Sequence, residues 1–179
     1  MKLKVKFLLL FIPLLFTACV DNIDFEQAND LRATPAISVS LVNSSVTQDQ
    51  LVISGVEIDL PPQRSEFTIL DNDTARNDLE RILFNFEISN GFDREFLLTF
   101  TFLDESGNTT HEIDLNIINN VSSIFNEEII IANNSNFLNS RFLEVSLTIL
   151  PSLDGSIIDV NTPATLIFKS AGTFYFNLN

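Results

Sequence analysis

The feature that most constrains the fold is an alternation of apolar and polar residues through the middle of the chain, carried mainly by phenylalanine. Ile82, Phe84, Phe86 and Ile88 alternate with Asn85 and Glu87, and Phe96, Leu98, Phe100 and Phe102 alternate with Leu97, Thr99, Thr101 and Leu103. Successive side chains of a strand point to opposite faces, so each run lays one apolar face on a core. A helix would need its apolar residues about three to four positions apart. Asn90-Gly91 is a turn signal, and Asp104 to Asn108 turns the chain again. His111, Ile113, Leu115 and Ile117 then alternate with Glu112, Asp114 and Asn116. Two or three consecutive antiparallel strands are predicted here.

The same reading extends outward. After Pro35, Ile37, Val39 and Leu41 alternate with serines, and Asn43-Ser44-Ser45 breaks the run. Leu51 to Ile58 reads as a strand stopped by Pro61-Pro62, with a short one at Phe67 to Leu70. Ile124 to Ala132 reads as a strand covered on both faces, and Leu143 to Ile149 as one stopped by Pro151. Leu166 to Leu178 reads as a terminal hairpin turning at Ala171-Gly172. Asp73 is placed to cap one short helix from Thr74 to Arg81. Eight or nine short strands predict an all-β chain, a two-sheet antiparallel β-sandwich, immunoglobulin-like with Greek-key connections and at most one short helix. With 17 phenylalanines, no tryptophan and one cysteine, phenylalanine must fill the core. An outer-membrane barrel shares the alternation but needs Trp and Tyr girdles, and Tyr175 is the only such residue, so the sandwich is preferred.

The first twenty residues set where such a domain resides. Lys2, Lys4 and Lys6 precede an apolar run from Phe7 to Phe16, and small residues lead to Cys19. This is the order of a secretory signal, and the run is about half of what spans a bilayer. Phe16-Thr17-Ala18-Cys19 resembles the lipobox of bacterial lipoproteins, with Phe16 where that motif usually has Leu or another aliphatic residue. The resemblance implies cleavage before Cys19, lipid on its sulfur and an acyl chain on its new amino group. Several acyl chains anchor stably, at about 0.8 kcal/mol per buried CH2. The alternative is an ordinary secretory signal that leaves Cys19 a spare thiol. The chain as a whole resembles the small β-sandwich lipoproteins of Bacteroidota. The organisation is then a signal peptide over 1–18, a lipidated Cys19 and acidic tether over 19–34, and a β-sandwich domain over 35–179. Lipid on Cys19 makes the outer membrane the first partner, with the domain on the cell surface or the periplasmic face. Asp21, Asp24, Phe25 and Glu26 look like a Bacteroidota surface-export cluster; a solvated linker accounts for them equally.

Without residues 1–18 the chain has 161 residues with seven basic against 24 acidic side chains, a formal charge of −17. Nucleic acid is excluded as a partner, since it requires a basic patch. Catalytic constellations are lacking: His111 stands alone in phase with strand residues, Cys19 is committed to lipid, and no phosphate loop, cofactor motif or zinc spacing occurs. A non-enzymatic chain is expected. Calcium is the cation that Asp71, Asp73, Asp104 and Glu105 would suit, as oxygen ligands in short loops. Neither loop fits the calcium pattern, because Ala75 stands at a ligand position and no Gly follows; ordinary turn chemistry also explains these residues. Asp73-Thr74-Ala75 resembles a Bacteroidota O-glycosylation sequon, which implies glycan on Thr74. Two functions stay open. One is a binding module that recognises a protein or glycan through the loops Asn90 to Asp93, Asp104 to Asn108 and Pro151 to Pro163. The other is an assembly subunit of an envelope complex that pairs through an exposed terminal strand, Thr173 to Asn179.

Overall fold

The alternation is realised as two four-stranded antiparallel sheets packed face to face. The computed structural model describes residues 34–152 and 154–178, apart from the side chain of Thr74; Cys19 and the Asp21 to Glu26 cluster lie outside the described residues. In chain order the elements are β1 (Ala36–Thr47), α1 (Gln48–Leu51), β2 (Val52–Ile53), β3 (Val56–Glu57), β4 (Leu60–Glu66), α2 (Asp73–Asp78), β5 (Leu79–Asn90), β6 (Phe96–Leu103), β7 (Thr109–Ile117), β8 (Ser122–Ile130), β9 (Phe142–Ile149) and β10 (Thr165–Phe176). One sheet has the order β1-β10-β5-β8, the other β4-β9-β6-β7, and β2 and β3 form a separate ribbon.

First strands pair with last ones: β1 with β10, β4 with β9, β5 with β8 and β6 with β7. The chain is thus one long double strand, closed at the Asp104 to Asn108 turn and rolled into two sheets. The expected Greek-key sandwich is present, and this pairing refines its immunoglobulin-like description to the jelly roll, eight strands in two Greek keys. Between the sheets the phenylalanines meet. Phe84 of β5 stacks on Phe102 of β6 with centroids 5.3 Å apart, and Phe86 meets Phe100 at 4.7 Å. Phe137, from a 3-10 turn over Ser135–Asn139, is fully buried 4.9 Å from Phe102. Such pairs add about 0.5–1.5 kcal/mol each beyond the area they bury.

Several local expectations are corrected. Asn90-Gly91 does not join two paired strands, because β5 and β6 lie in different sheets and the chain crosses the sandwich there. Ala171-Gly172 does not turn; β10 is one strand of 12 residues between β1 and β5. The terminal strand is therefore interior and not a free edge. β1 likewise continues through Asn43-Ser44-Ser45, with a register shift between Ser40 and Val42. The Leu51 to Ile58 strand is replaced by α1 and the β2–β3 ribbon, whose Ser54-Gly55 turn has φ of 54° and 77°, the left-handed pair a type I′ turn requires. Pro61-Pro62 lie inside β4, where an edge strand does not miss their N–H groups and the register shifts. β8 is not covered on both faces: Ile129 is buried, but Ile124 and Ile130 are exposed. Short helices number two among the described residues, α1 and α2, where at most one was expected. The N-cap of α2 is Asn72, not Asp73: its side chain accepts from Ala75 N at 2.7 Å, and Asp73 begins the helix.

Candidate functional site

Strand directions sort the connections between the two ends of the sandwich. Thr47 pairs with Thr165, Leu166 with Asn90, Ser89 with Ser122, and Phe96 with both Ile117 and Ile149. Residues 48–59, 91–95, 118–121 and 150–164 therefore gather at one end. Residues 34–35, 67–78, 104–108 and 131–141 gather at the other. Of the loops expected to recognise a ligand, Asn90 to Asp93 and Pro151 to Pro163 come together, and Asp104 to Asn108 lies at the far end.

Buried polar side chains build the first end. Asn90 closes β5 with every amide atom engaged: Nδ2 donates to Arg94 O at 2.7 Å and Ile118 O at 3.0 Å, and Oδ1 accepts from Phe92 N at 2.9 Å. Arg94 is 5% exposed and reaches Glu57 of β3, with Nη2 2.7 Å from Oε1. Its guanidinium also donates to the carbonyls of Ser156 and Leu150, and Glu57 Oε1 accepts a second bond from Ile158 N at 2.7 Å. A buried charge is tolerated only when paired and hydrogen-bonded, so this pair fixes three connections against one another. Arg94 Nε has no partner among the described residues.

Above this base lies a cleft of about 360 Å³ lined by Gly91, Asp93, Asn120, Ser156, Asp159 and Thr162, among others. Asp93 Oδ1 accepts from Asn119 Nδ2 at 2.8 Å and Asn120 Nδ2 at 3.3 Å. Asp159 accepts from Thr162 Oγ1 at 2.7 Å and Asn161 N at 2.9 Å. Those bonds, Thr162 foremost, hold the Asp159 carboxyl below the usual carboxylate range. Asp154 is held lower still, by Ser152 first and then Ser156. A carboxyl held down in this way stays ionised and accepts hydrogen bonds; it does not serve as a general acid at neutral pH. Ile157 and Val160 stand exposed in the same connection. The end thus offers fixed acceptors beside apolar side chains, the mixture binding clefts use.

The calcium candidates all lie at the other end of the sandwich. Asp104 closes the β6–β7 turn, Oδ1 accepting from Asn108 N at 2.8 Å and Oδ2 from Asn108 Nδ2 at 3.0 Å, and the Asn108 side chain is the largest cause that holds its carboxyl low. Asp73 pairs with Arg76 of the same helix at 2.8 Å. Asp71 and Glu105 come together with Glu66 and Arg141 around a shallow pocket of about 300 Å³ at the far end. Among the described residues no group of three or more His, Cys, Asp or Glu is placed to hold a metal ion. Thr74 lies in α2. His111 sits on the inner face of edge strand β7, against Phe102 and Phe137, with Nε2 unpartnered among the described residues. Burial pushes its pKa down and Glu127 opposes this. Glu57, Arg94 and Asp159 were missed in the sequence. Glu57 and Arg94 are 37 residues apart and nothing local marks them as partners. The available signal was scarcity, since Arg94 is one of only seven basic residues from Cys19 onward.

No family model and no curated protein matches the chain. Solved structures with some likeness include the infectious bursal disease virus Gt strain, at TM-score 0.40 and 12% identity over 81% of this chain and 42% of that one. The enzymatically active domain of a bacteriophage CBA120 tailspike protein follows at TM-score 0.34 and 14% identity, over 81% and 19% of the two chains. Bacillus endospore appendages, described as disulfide-linked pili, give TM-score 0.23 and 11% identity over 83% and 88%. The chain spans about two fifths of the length of the virus proteins it matches. At such identities and TM-scores none of them assigns an activity, ligand or partner to this chain.

Proposed function

We propose that the chain is a lipid-anchored, non-enzymatic binding module of the outer membrane, and that its ligand face is the end built on Asn90, Arg94 and Glu57. The observation that carries this reading is the placement of the loops. Four connections converge at one end, three of them fixed by a buried ion pair, and the chain enters the sandwich at Thr34 at the other. Lipid on Cys19 lies 15 residues before Thr34, and an extended tether of that length reaches roughly 50 Å. An anchor that joins the domain at Thr34 leaves the opposite, loop end clear of the attachment point. Loops on a rigid sandwich are the usual carriers of recognition. The fixed acceptors Asp93 and Asp159 suit a ligand rich in hydrogen-bond donors, a glycan or a peptide. Their commitment to loop hydrogen bonds supports binding over catalysis.

The test has two parts. Protease added to intact cells, with Cys19→Ala as the anchoring control, reads which side of the membrane the domain faces; digestion without lysis supports Asp21 to Glu26 as an export cluster. Glycan and peptide arrays probed with the mature chain then read the ligand face. Asp93→Ala with Asp159→Ala is expected to abolish binding, and Asp104→Ala at the far end to leave it intact. Equal binding by both variants would remove the loop end as the ligand face.

A further inference from the structure

Four strands edge the two sheets, β1 and β8 in one and β4 and β7 in the other. Exposed edges invite pairing with a foreign strand, and proteins guard them with bulges, proline or charge. β1 carries a register shift, β4 carries Pro61-Pro62 and a shift, and the Asn136 side chain bonds Thr110 O on β7, which shows Glu112 and Asp114 outward. β8 differs. It runs nine residues in unbroken register with β5 and contains no proline.

Its backbone geometry follows from one bond. Asn90 N donates to Val121 O at 3.0 Å, which makes Asn90 and Val121 a hydrogen-bonded rung beyond the Ser89–Ser122 pair. Rungs alternate in an antiparallel ladder, so the N–H and C=O groups of Ser122, Ile124, Asn126, Glu128 and Ile130 face away from β5. Among the described residues only Ile130 O meets a partner there, Asn134 Nδ2 at 3.3 Å. Exposed apolar side chains line the same strand: Ile124 is 69% exposed, and Ile130 is exposed as well.

The one guard is charge. Glu127 and Glu128 are consecutive and point to opposite faces of the sheet; Glu128 pairs with Arg81 at 2.9 Å, and Glu127 has no ion pair among the described residues. Two consecutive carboxylates, on a chain of formal charge −14, repel a second copy of this strand. They attract a cationic one. We propose that β8 is a docking edge for an extended, positively charged strand of another protein, with Lys or Arg beside Glu127 and Glu128 and apolar side chains beside Ile124 and Ile130. Main-chain bonds would supply affinity and the charges the choice of partner. This surface is separate from the loop end and stands without it.

The test uses the mature chain and two labelled nine-residue peptides of alternating Val and Thr, one with two central Lys and one with two central Glu, read by fluorescence anisotropy. The Lys peptide is expected to bind roughly tenfold or more tightly than the Glu peptide, because like-charge juxtaposition is costly. Ile124→Pro should abolish binding, since it removes an outward N–H and leaves the β5 ladder intact. Exposed Glu127→Lys should keep the fold, checked by melting, and shift preference toward the Glu peptide. Equal binding of the two peptides, binding of neither, or indifference to both variants overturns the proposal. Sedimentation showing a dimer of this chain that Ile124→Pro abolishes would overturn it in favour of a second copy.

Discussion

Gly172 faces two rings of the core, and a Cβ there would lie 2.9 Å from Phe174 Cε2 and 3.0 Å from Phe84 Cε1. Both rings are fully buried and cannot swing aside, so Gly172→Ala overpacks the site at a cost of about 1–3 kcal/mol. Phe84→Ala opens a cavity beside Phe102 and costs about 3–5 kcal/mol. The double variant should cost less than the two together, because loss of the Phe84 ring relieves part of the clash. Urea midpoints at unchanged slope measure all three. His111 gives a second prediction at this scale. Burial lowers its folded pKa below 6.5, so the unfolded chain takes up the proton first. Its contribution is complete above pH 6.5 and is lost as pH falls from there toward the folded pKa. The chain has one histidine. The denaturation midpoint should therefore decline as pH falls below about 7, and His111→Gln should flatten the decline.

At the scale of elements, the loop end depends on a contact between β3 and the connection after β5. Arg94→Ala leaves Glu57 with Ile158 N alone. The expected cost is about 2–3 kcal/mol, below the 3–5 of a fully buried pair because Glu57 is partly exposed. Arg94→Lys restores charge without the fork that also reaches Ser156 and Leu150, so it should recover only part of the loss. Limited proteolysis should find residues 91–95 and 150–158 cut in Arg94→Ala before the sheets are touched. This dependence was hidden in the sequence, although the elements it joins were largely legible. Period-two alternation needs only local information, and it located β5, β6, β7 and β9 with their inner faces. Turn chemistry is equally local, so Asn90-Gly91 looks the same whether the next strand lies alongside or crosses to the other sheet. Gly172 was misread for a related reason: its glycine serves rings brought up by folding, not a bend in its own segment. The two loops of the candidate site could be picked out as polar Asn, Asp, Pro and Gly stretches, but their meeting at one end is a property of the rolled-up pairing.

For the whole molecule, charge decides what can hold the domain at a membrane. From Cys19 onward the chain carries seven basic and 24 acidic side chains. Of the six basic residues in the described chain, Arg64, Arg76, Arg81 and Arg94 are already in ion pairs with Glu144, Asp73, Glu128 and Glu57. Little free positive charge remains to meet anionic headgroups, which attract basic segments by about 1 kcal/mol per residue and repel acidic ones. No helix among the described residues is long and apolar enough to cross a bilayer. On the proposed reading, lipid on Cys19 holds the domain by burial of acyl chains, a force that salt does not weaken. Membranes washed in about 1 M salt, where the screening length falls to about 3 Å, should retain the wild-type chain in full. Cys19→Ala should appear in the soluble fraction at every ionic strength. If salt released the wild-type chain, a charged partner would be holding it instead, and the acidic surface, with Glu127 and Glu128 at its open edge, would be the place to look for the contact.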